Sequence, residues 1–72
     1  MTLSAVTAVS VNGEARDVAA GTTLEALVAK LTAAPSGIAA ALNETVVPRA
    51  RWSTTELTDG DRIEVLTAVQ GG

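Results

Sequence analysis

The sequence predicts an α+β domain in which a mixed β-sheet is covered on one face by a single main helix. Two early segments alternate apolar and polar residues around an Asn-Gly dipeptide. A later segment repeats leucine and valine at helical spacing, and the chain closes on a long alternating segment. A single amphipathic helix needs one face of a sheet against which to bury its apolar side, so these segments predict one small two-layer domain.

The composition excludes several classes of function. A chain of 72 residues has room for one small domain. It contains no cysteine and no histidine, and therefore no thiolate nucleophile, no imidazole base and no Cys or His metal ligand. Five basic residues are scattered among eight acidic ones, which argues against a nucleic-acid surface. We see no signal peptide and no spanning apolar run, so we expect a cytoplasmic protein without membrane association.

The first hairpin is predicted at Asn12-Gly13. Both central residues of a type I′ turn need a positive φ angle, which Asn and Gly adopt readily. The flanking residues 7–11 and 14–19 have the alternation of two strands.

One amphipathic helix follows this hairpin. Its apolar residues fall at i, i+3, i+4 and i+7, which places them on one helical face: Leu24, Leu27, Val28 and Leu31. Thr22 and Glu25 have the spacing of a capping box, in which the hydroxyl accepts from the Glu25 backbone N–H. Pro35 cannot continue the helix and predicts its end.

Three shorter features come next. Residues 38–42 are rich in alanine, which favours a helix, but the run is short and we predict a strand. Val46-Val47 precedes Pro48, as suits an edge strand. Residues 49–55 are predicted to be irregular or to form one helical turn. They contain Trp52, the single aromatic residue, which either covers the core or forms a partner hot spot.

Residues 62–69 predict the last strand. Its second face is apolar at Leu66 and Ala68, which either lie under a loop or form a partner-binding face. The first and last strands are the natural central pair, and they are then parallel. The whole order is that of a ubiquitin-like β-grasp domain.

We divide the chain into a β-grasp domain over residues 1–69 and a flexible tail over residues 70–72. Gln70, Gly71 and Gly72 form this tail. Glycine has little backbone restriction, so the tail cannot stabilise the fold. It is either a frayed terminus or a thin arm whose carboxylate reacts inside a channel.

Six short segments occur together: Val11-Asn12-Gly13-Glu14, Gly21-Thr22-Thr23-Leu24, Ala41-Leu42-Asn43, Val46-Val47-Pro48-Arg49 followed by Trp52, Asp59-Gly60-Asp61, and Val69-Gln70-Gly71-Gly72. In this combination the chain resembles the sulfur carrier proteins of thiamine biosynthesis, the ThiS family. The resemblance extends from about Thr7 onward.

This resemblance implies a carrier and co-substrate rather than an enzyme. A ubiquitin-activating-like adenylating enzyme would join the Gly72 carboxylate to AMP, while Gln70 and Gly71 lie in its channel. ATP and Mg²⁺ would belong to that enzyme, with no cofactor or metal bound by this chain. A persulfide-bearing enzyme would then convert Gly72 to a thiocarboxylate for use by thiazole synthase. The free carrier is expected to be a monomer.

The partner-binding face is predicted to include Leu66, Ala68 and Arg49, although Arg49 and Arg51 also fit solvated charges. Asp59 and Asp61 flank Gly60, and we interpret them as turn formers rather than an acid–base pair.

Three other functions stay open. They are a molybdopterin synthase small subunit, a protein modifier conjugated to lysines, and a ubiquitin-like interaction domain with a dispensable tail. The segment from Asn43 to Trp52 favours the thiamine branch over the molybdopterin branch.

Overall fold

The computed structural model describes residues 6–33 and 37–67. These form a five-stranded sheet in the order β2-β1-β5-β3-β4. The elements are β1 (Val6–Val11), β2 (Glu14–Ala19), α1 (Leu24–Leu31), β3 (Ile38–Leu42), β4 (Thr45–Val46), a 3₁₀ helix (Arg49–Thr54) and β5 (Arg62–Thr67). Pro35 and the residues from Ala68 to Gly72, on which several predictions fall, lie outside the described residues.

The predicted parallel pairing of the first and last strands is confirmed. β1 and β5 lie side by side in parallel, with Ser10 opposite Arg62. β1 and β2 form the predicted hairpin, and its turn residues Asn12 and Gly13 have φ angles of 52° and 86°. β3 pairs antiparallel with both β5 and β4, and β4 forms the predicted edge. The sheet therefore has the predicted ubiquitin-like β-grasp topology.

The predicted helix cap is wrong by one residue. The capping residue is Thr23, whose hydroxyl oxygen accepts from the Ala26 N–H at 3.2 Å. The Thr22 hydroxyl instead donates to the Ala19 carbonyl and completes the preceding turn. Thr23 also forms an isolated antiparallel bridge with Glu56, which keeps the chain extended until Leu24. A tertiary pairing that local sequence does not show thus displaces the start of the helix.

The core lies between α1 and the sheet and confirms the predicted helical stripe. Its buried residues come from every layer: Val9, Val11, Val18, Leu24, Leu27, Val28, Ala40, Trp52, Leu57, Ile63 and Val65. Leu31 is partly buried and packs against this cluster. The indole Nε1–H of Trp52 donates to the Val47 carbonyl at 2.8 Å, which satisfies its polar atom inside the core. Trp52 therefore covers the core, which confirms the first of the two interpretations given for it.

The alanine-rich run at residues 38–42 is a strand, as predicted. It pairs with β5 along its full length, from Ile38 opposite Thr67 to Leu42 opposite Ile63. Ala40 is buried, and Ile38 and Leu42 pack at the core margin. The sheet pairing overrides the helix propensity of alanine.

Leu27→Ala should lower the free energy of unfolding by about 2–5 kcal/mol, because Leu27 is fully buried and its truncation leaves a cavity. In a domain of this size that is a large part of the total stability. Urea denaturation would measure the loss, with Ala26→Gly as a control for helix propensity on the exposed side. An unchanged midpoint for Leu27→Ala would contradict the packing described here.

Candidate functional site

The sheet face opposite α1 carries an open depression of about 660 Å³. On β5, Glu64 and Leu66 alternate with the buried Ile63 and Val65 and therefore point to this face. The lining residues come from three adjacent strands and two turns: Asn12, Ala39, Ala40, Ala41, Glu44, Val46, Glu64 and Leu66. The depression is thus built on the final strand, which leads to the predicted reactive tail.

Small residues on β3 create the space in this depression. Ala39 lies opposite Leu66, and Ala41 lies between Glu64 on one side and Val46 on the other. The larger side chains at the two sides are open to solvent, since Leu66 is 71% exposed and Val46 is 72% exposed. Exposed apolar side chains around a recess are typical of a protein-binding surface.

The charged side chains that line this recess are acidic, although one of them lies beside an arginine. Glu44 and Glu64 are the charged residues among its described lining. Glu44 also lies 3.5 Å from the Arg62 guanidinium, in a pair so exposed that water screens it strongly. The recess therefore presents an apolar floor with carboxylates at its margin, which suits a partner with apolar and basic groups.

The predicted partner-binding residues do not share one face. Leu66 is open to solvent, and no segment within residues 6–33 and 37–67 lies over it. Arg49 lies on the helix side, where its guanidinium carbon is 5.1 Å from the centroid of the Trp52 ring. There it lines a separate groove of about 300 Å³ with Glu25 and Ile38. The third predicted residue, Ala68, lies outside the described residues.

Two asparagine side chains bind the backbone of β5. Asn12 Oδ1 accepts from the Val65 N–H at 2.9 Å, and Asn12 Nδ2 donates to the Val65 carbonyl at 3.3 Å. Asn43 Oδ1 accepts from the Arg62 N–H at 2.9 Å, and its Nδ2 donates to Asp61 Oδ1 at 3.0 Å. The sequence places both asparagines in turns and in the motifs that carry the family resemblance. Neither signal identifies a hydrogen-bond partner so far along the chain.

The two aspartates of the Asp59-Gly60-Asp61 turn are used in hydrogen bonds to nearby groups. Asp59 Oδ1 accepts from the Ala8 N–H at 2.7 Å, and Asp61 Oδ2 accepts from the Thr58 N–H at 2.8 Å. Asp61 lies about 20 Å of extended chain before Thr67. The bond between Asp61 and Thr58 fits the interpretation of Asp61 as a turn former, whereas Asp59 connects the turn to β1.

Asp61 is only 9% exposed, and this burial by itself would raise the pKa of its carboxyl group. Hydrogen bonds from the Thr58 backbone, the Asn43 amide and the Thr58 hydroxyl outweigh this effect and hold the pKa below its ordinary value of 3.8. The ionised form therefore stabilises the fold above the unfolded-state pKa. That contribution is lost as the pH falls through the folded-state pKa.

Asp61→Asn should destabilise the domain by about 1–3 kcal/mol at neutral pH, because an amide has one acceptor oxygen for donors on two sides. The difference from the wild type should shrink as the pH falls from about 4 through the lowered folded-state pKa, because the carboxylate is protonated first in the unfolded and then in the folded wild type. Thermal unfolding of both proteins between neutral pH and about pH 2 would measure this. A difference that stays constant across that range would contradict the role of the ionised carboxylate.

Within the described residues, no group of three or more Asp and Glu side chains is placed to hold a metal ion. Neither described helix has the length and apolar character needed to cross a bilayer.

The chain is similar to known proteins over most of its length. The family model of the ThiS family matches residues 9–72. The sulfur carrier protein ThiS of Escherichia coli is 36% identical over 61 residues, which are 85% of this chain and 92% of that protein. A thiazole synthase of Magnetococcus marinus is 39% identical over 64 residues, which are 89% of this chain but 20% of that protein.

The fold also matches a solved structure. The crystal structure of a thiamine biosynthesis protein (ThiS) from Geobacter metallireducens has a TM-score of 0.74 and 29% sequence identity. The match covers 90% of this chain and 99% of that chain.

Proposed function

This chain belongs to the ThiS family, and we propose that it is a sulfur carrier for the formation of the thiazole moiety of thiamine. The observation that carries the proposal is the family match, which includes the terminal Gly71-Gly72. The relative from Escherichia coli is itself a sulfur carrier protein, and nearly its whole length is covered. The proposal includes a monomeric, cytoplasmic carrier that binds no metal or cofactor of its own.

The Gly72 carboxylate is the reacting group in this proposal. A carboxylate is a poor electrophile, so a partner enzyme first joins it to the α-phosphate of ATP and releases pyrophosphate. A persulfide from a donor enzyme then attacks the acyl carbon and displaces AMP. The new bond is the carbon–sulfur bond of an acyl persulfide. A thiol then attacks the donor-side sulfur of the persulfide's sulfur–sulfur bond, which forms a disulfide with the donor and leaves a thiocarboxylate on Gly72. The thiocarboxylate sulfur is a better nucleophile than a carboxylate oxygen, and it is passed to thiazole synthase.

The composition of the chain suits a co-substrate. The chain contains no cysteine or histidine, so its side chains offer no thiolate or imidazole for catalysis. The described domain instead supplies a stable support and an open apolar surface beside β5. The similarity to about a fifth of a thiazole synthase supports that enzyme as the sulfur acceptor. ATP and Mg²⁺ belong to the adenylating enzyme.

The most direct test is the intact mass of the chain after co-expression with an adenylating enzyme of the ubiquitin-activating type and a persulfide donor. A sulfur carrier gains the mass difference between sulfur and oxygen. A protein modifier gains the mass of a second protein, and a simple interaction domain gains nothing. Either of these last two results would overturn the proposal.

Deletion of Gly72 should abolish adenylation without a change in thermal stability. Gly71→Val should act similarly, because a branched side chain would enter a channel that admits only backbone. Residues 70–72 can extend about 10 Å, and a misplacement of about 1 Å at a reacting group costs on the order of a hundredfold in rate. ATP–pyrophosphate exchange would measure adenylation, beside a thermal melt of each variant. Normal exchange by the truncated chain would exclude the terminal carboxylate as the reacting group.

Leu66→Glu should weaken binding to the adenylating enzyme by about tenfold or more, because it places a charge in the apolar recess beside Glu64. Val6→Glu is the matched control: Val6 is also an exposed apolar residue on a strand, but it does not line the recess. Titration of the enzyme with each folded variant gives the affinities. Wild-type affinity for Leu66→Glu would exclude the recess as the docking surface.

A further inference from the structure

We propose that Asn12 is a positioning residue for the reaction at Gly72. The proposal rests on the sulfur-carrier function given above. Its basis is the contact between the Asn12 amide and the backbone of Val65, at a separation of 53 residues in the sequence. Val65 lies on the strand that leads directly to the tail.

The backbone pairing between β1 and β5 ends early. Its last pair is Val11 opposite Ile63, because the chain turns away at Asn12-Gly13. The Asn12 N–H still donates to the Ile63 carbonyl at 2.9 Å. Beyond this bond, β1 has no further main-chain group that can pair with β5.

The Asn12 side chain replaces the missing pairing. In a parallel sheet, the next residues of β1 would accept from the Val65 N–H and donate to the Val65 carbonyl. The amide makes both of these bonds, at 2.9 Å and 3.3 Å. It therefore extends the β1 side of β5 by two residues, while β3 pairs with the opposite side up to Thr67. Asn12 secures the end of β5 from which the chain continues to Gly72.

This anchor bears on the reaction through the point from which the tail departs. Without the Asn12 bonds, the β1 side of β5 is unpaired beyond Ile63, and the end of the strand is held from the β3 side alone. The tail then continues from a less firmly fixed strand end. A misplacement of a reacting group by about 1 Å can cost on the order of a hundredfold in rate. Loss of the anchor should therefore lower the rate of adenylation even when the domain stays folded and docked.

Asn43 provides a matched control within the same chain. Its amide binds β5 at Arg62, the end of the strand remote from the tail. Asn12 and Asn43 have nearly equal positive φ angles, 52° and 51°. Glycine accepts this conformation, so Asn12→Gly and Asn43→Gly each remove an amide without straining the turn. Asn43→Gly also deprives Asp61 of a donor, so it should destabilise the domain at least as much.

The experiment measures ATP–pyrophosphate exchange and enzyme binding for the full-length wild type and both variants, at a temperature where melts show all three folded. Asn12→Gly should lower kcat by about tenfold to a hundredfold, with Kd within about threefold of the wild type. Asn43→Gly should keep kcat within about threefold. Asn12→Asp keeps an acceptor for the Val65 N–H and should give an intermediate kcat. Amide hydrogen exchange at Val65 should accelerate in Asn12→Gly and not in Asn43→Gly.

Four outcomes would overturn this role. An unchanged kcat for Asn12→Gly would show that the anchor does not position the tail. Losses of kcat that follow the stability of both variants would show that Asn12 is only structural. A raised Kd with normal kcat would make Asn12, which also lines the recess, a docking contact. If the wild type itself supports no exchange, the sulfur-carrier function fails, and the positioning role fails with it.

Discussion

The structure depends on the pairing of β5 from both sides. β1 binds one side in parallel and β3 binds the other in antiparallel orientation, so the last strand of the chain lies at the centre of the sheet. The amides of Asn12 and Asn43 add side-chain hydrogen bonds to its backbone at Val65 and Arg62. A strand with partners on both sides resists fraying. The terminal residues therefore continue from β5, the strand with hydrogen-bonding partners on both sides.

The two faces of the sheet have separate tasks. On one face, α1 and Trp52 close a core of aliphatic side chains, which provides most of the stability. On the other face, alanines on β3 leave a recess between Leu66 and Val46, with Glu44 and Glu64 at its margin. The alternation of side chains along β5 divides its residues between these tasks. Under the proposed function, this division leaves a surface for partners that the packing of the core does not bury.

Elements that depend on local spacing could be predicted from the sequence. The helical stripe from Leu24 to Leu31 and the turn at Asn12-Gly13 both follow from patterns within a few residues. The edge position of Val46 follows from the nearby Pro48 in the same way. The sequence leaves two interpretations of Trp52 open. The structure shows that Trp52 is buried in the core, where its indole N–H donates to the Val47 carbonyl.

The sequence by itself determined the strands, the main helix, the two-layer β-grasp architecture and the family resemblance, since hydrophobic periodicity and short motifs are local properties. Tertiary structure alone decided three further features. The helix cap moved to Thr23 because of its bridge to Glu56, Arg49 lies on the helix side with Trp52, and Asn12 binds Val65. The cap and the Asn12 contact depend on partners far along the chain, whereas Arg49 and Trp52 belong to the same 3₁₀ helix and lie on the helix side because Trp52 is buried in the core. Local spacing does not identify the distant partners, because they meet only when the chain folds.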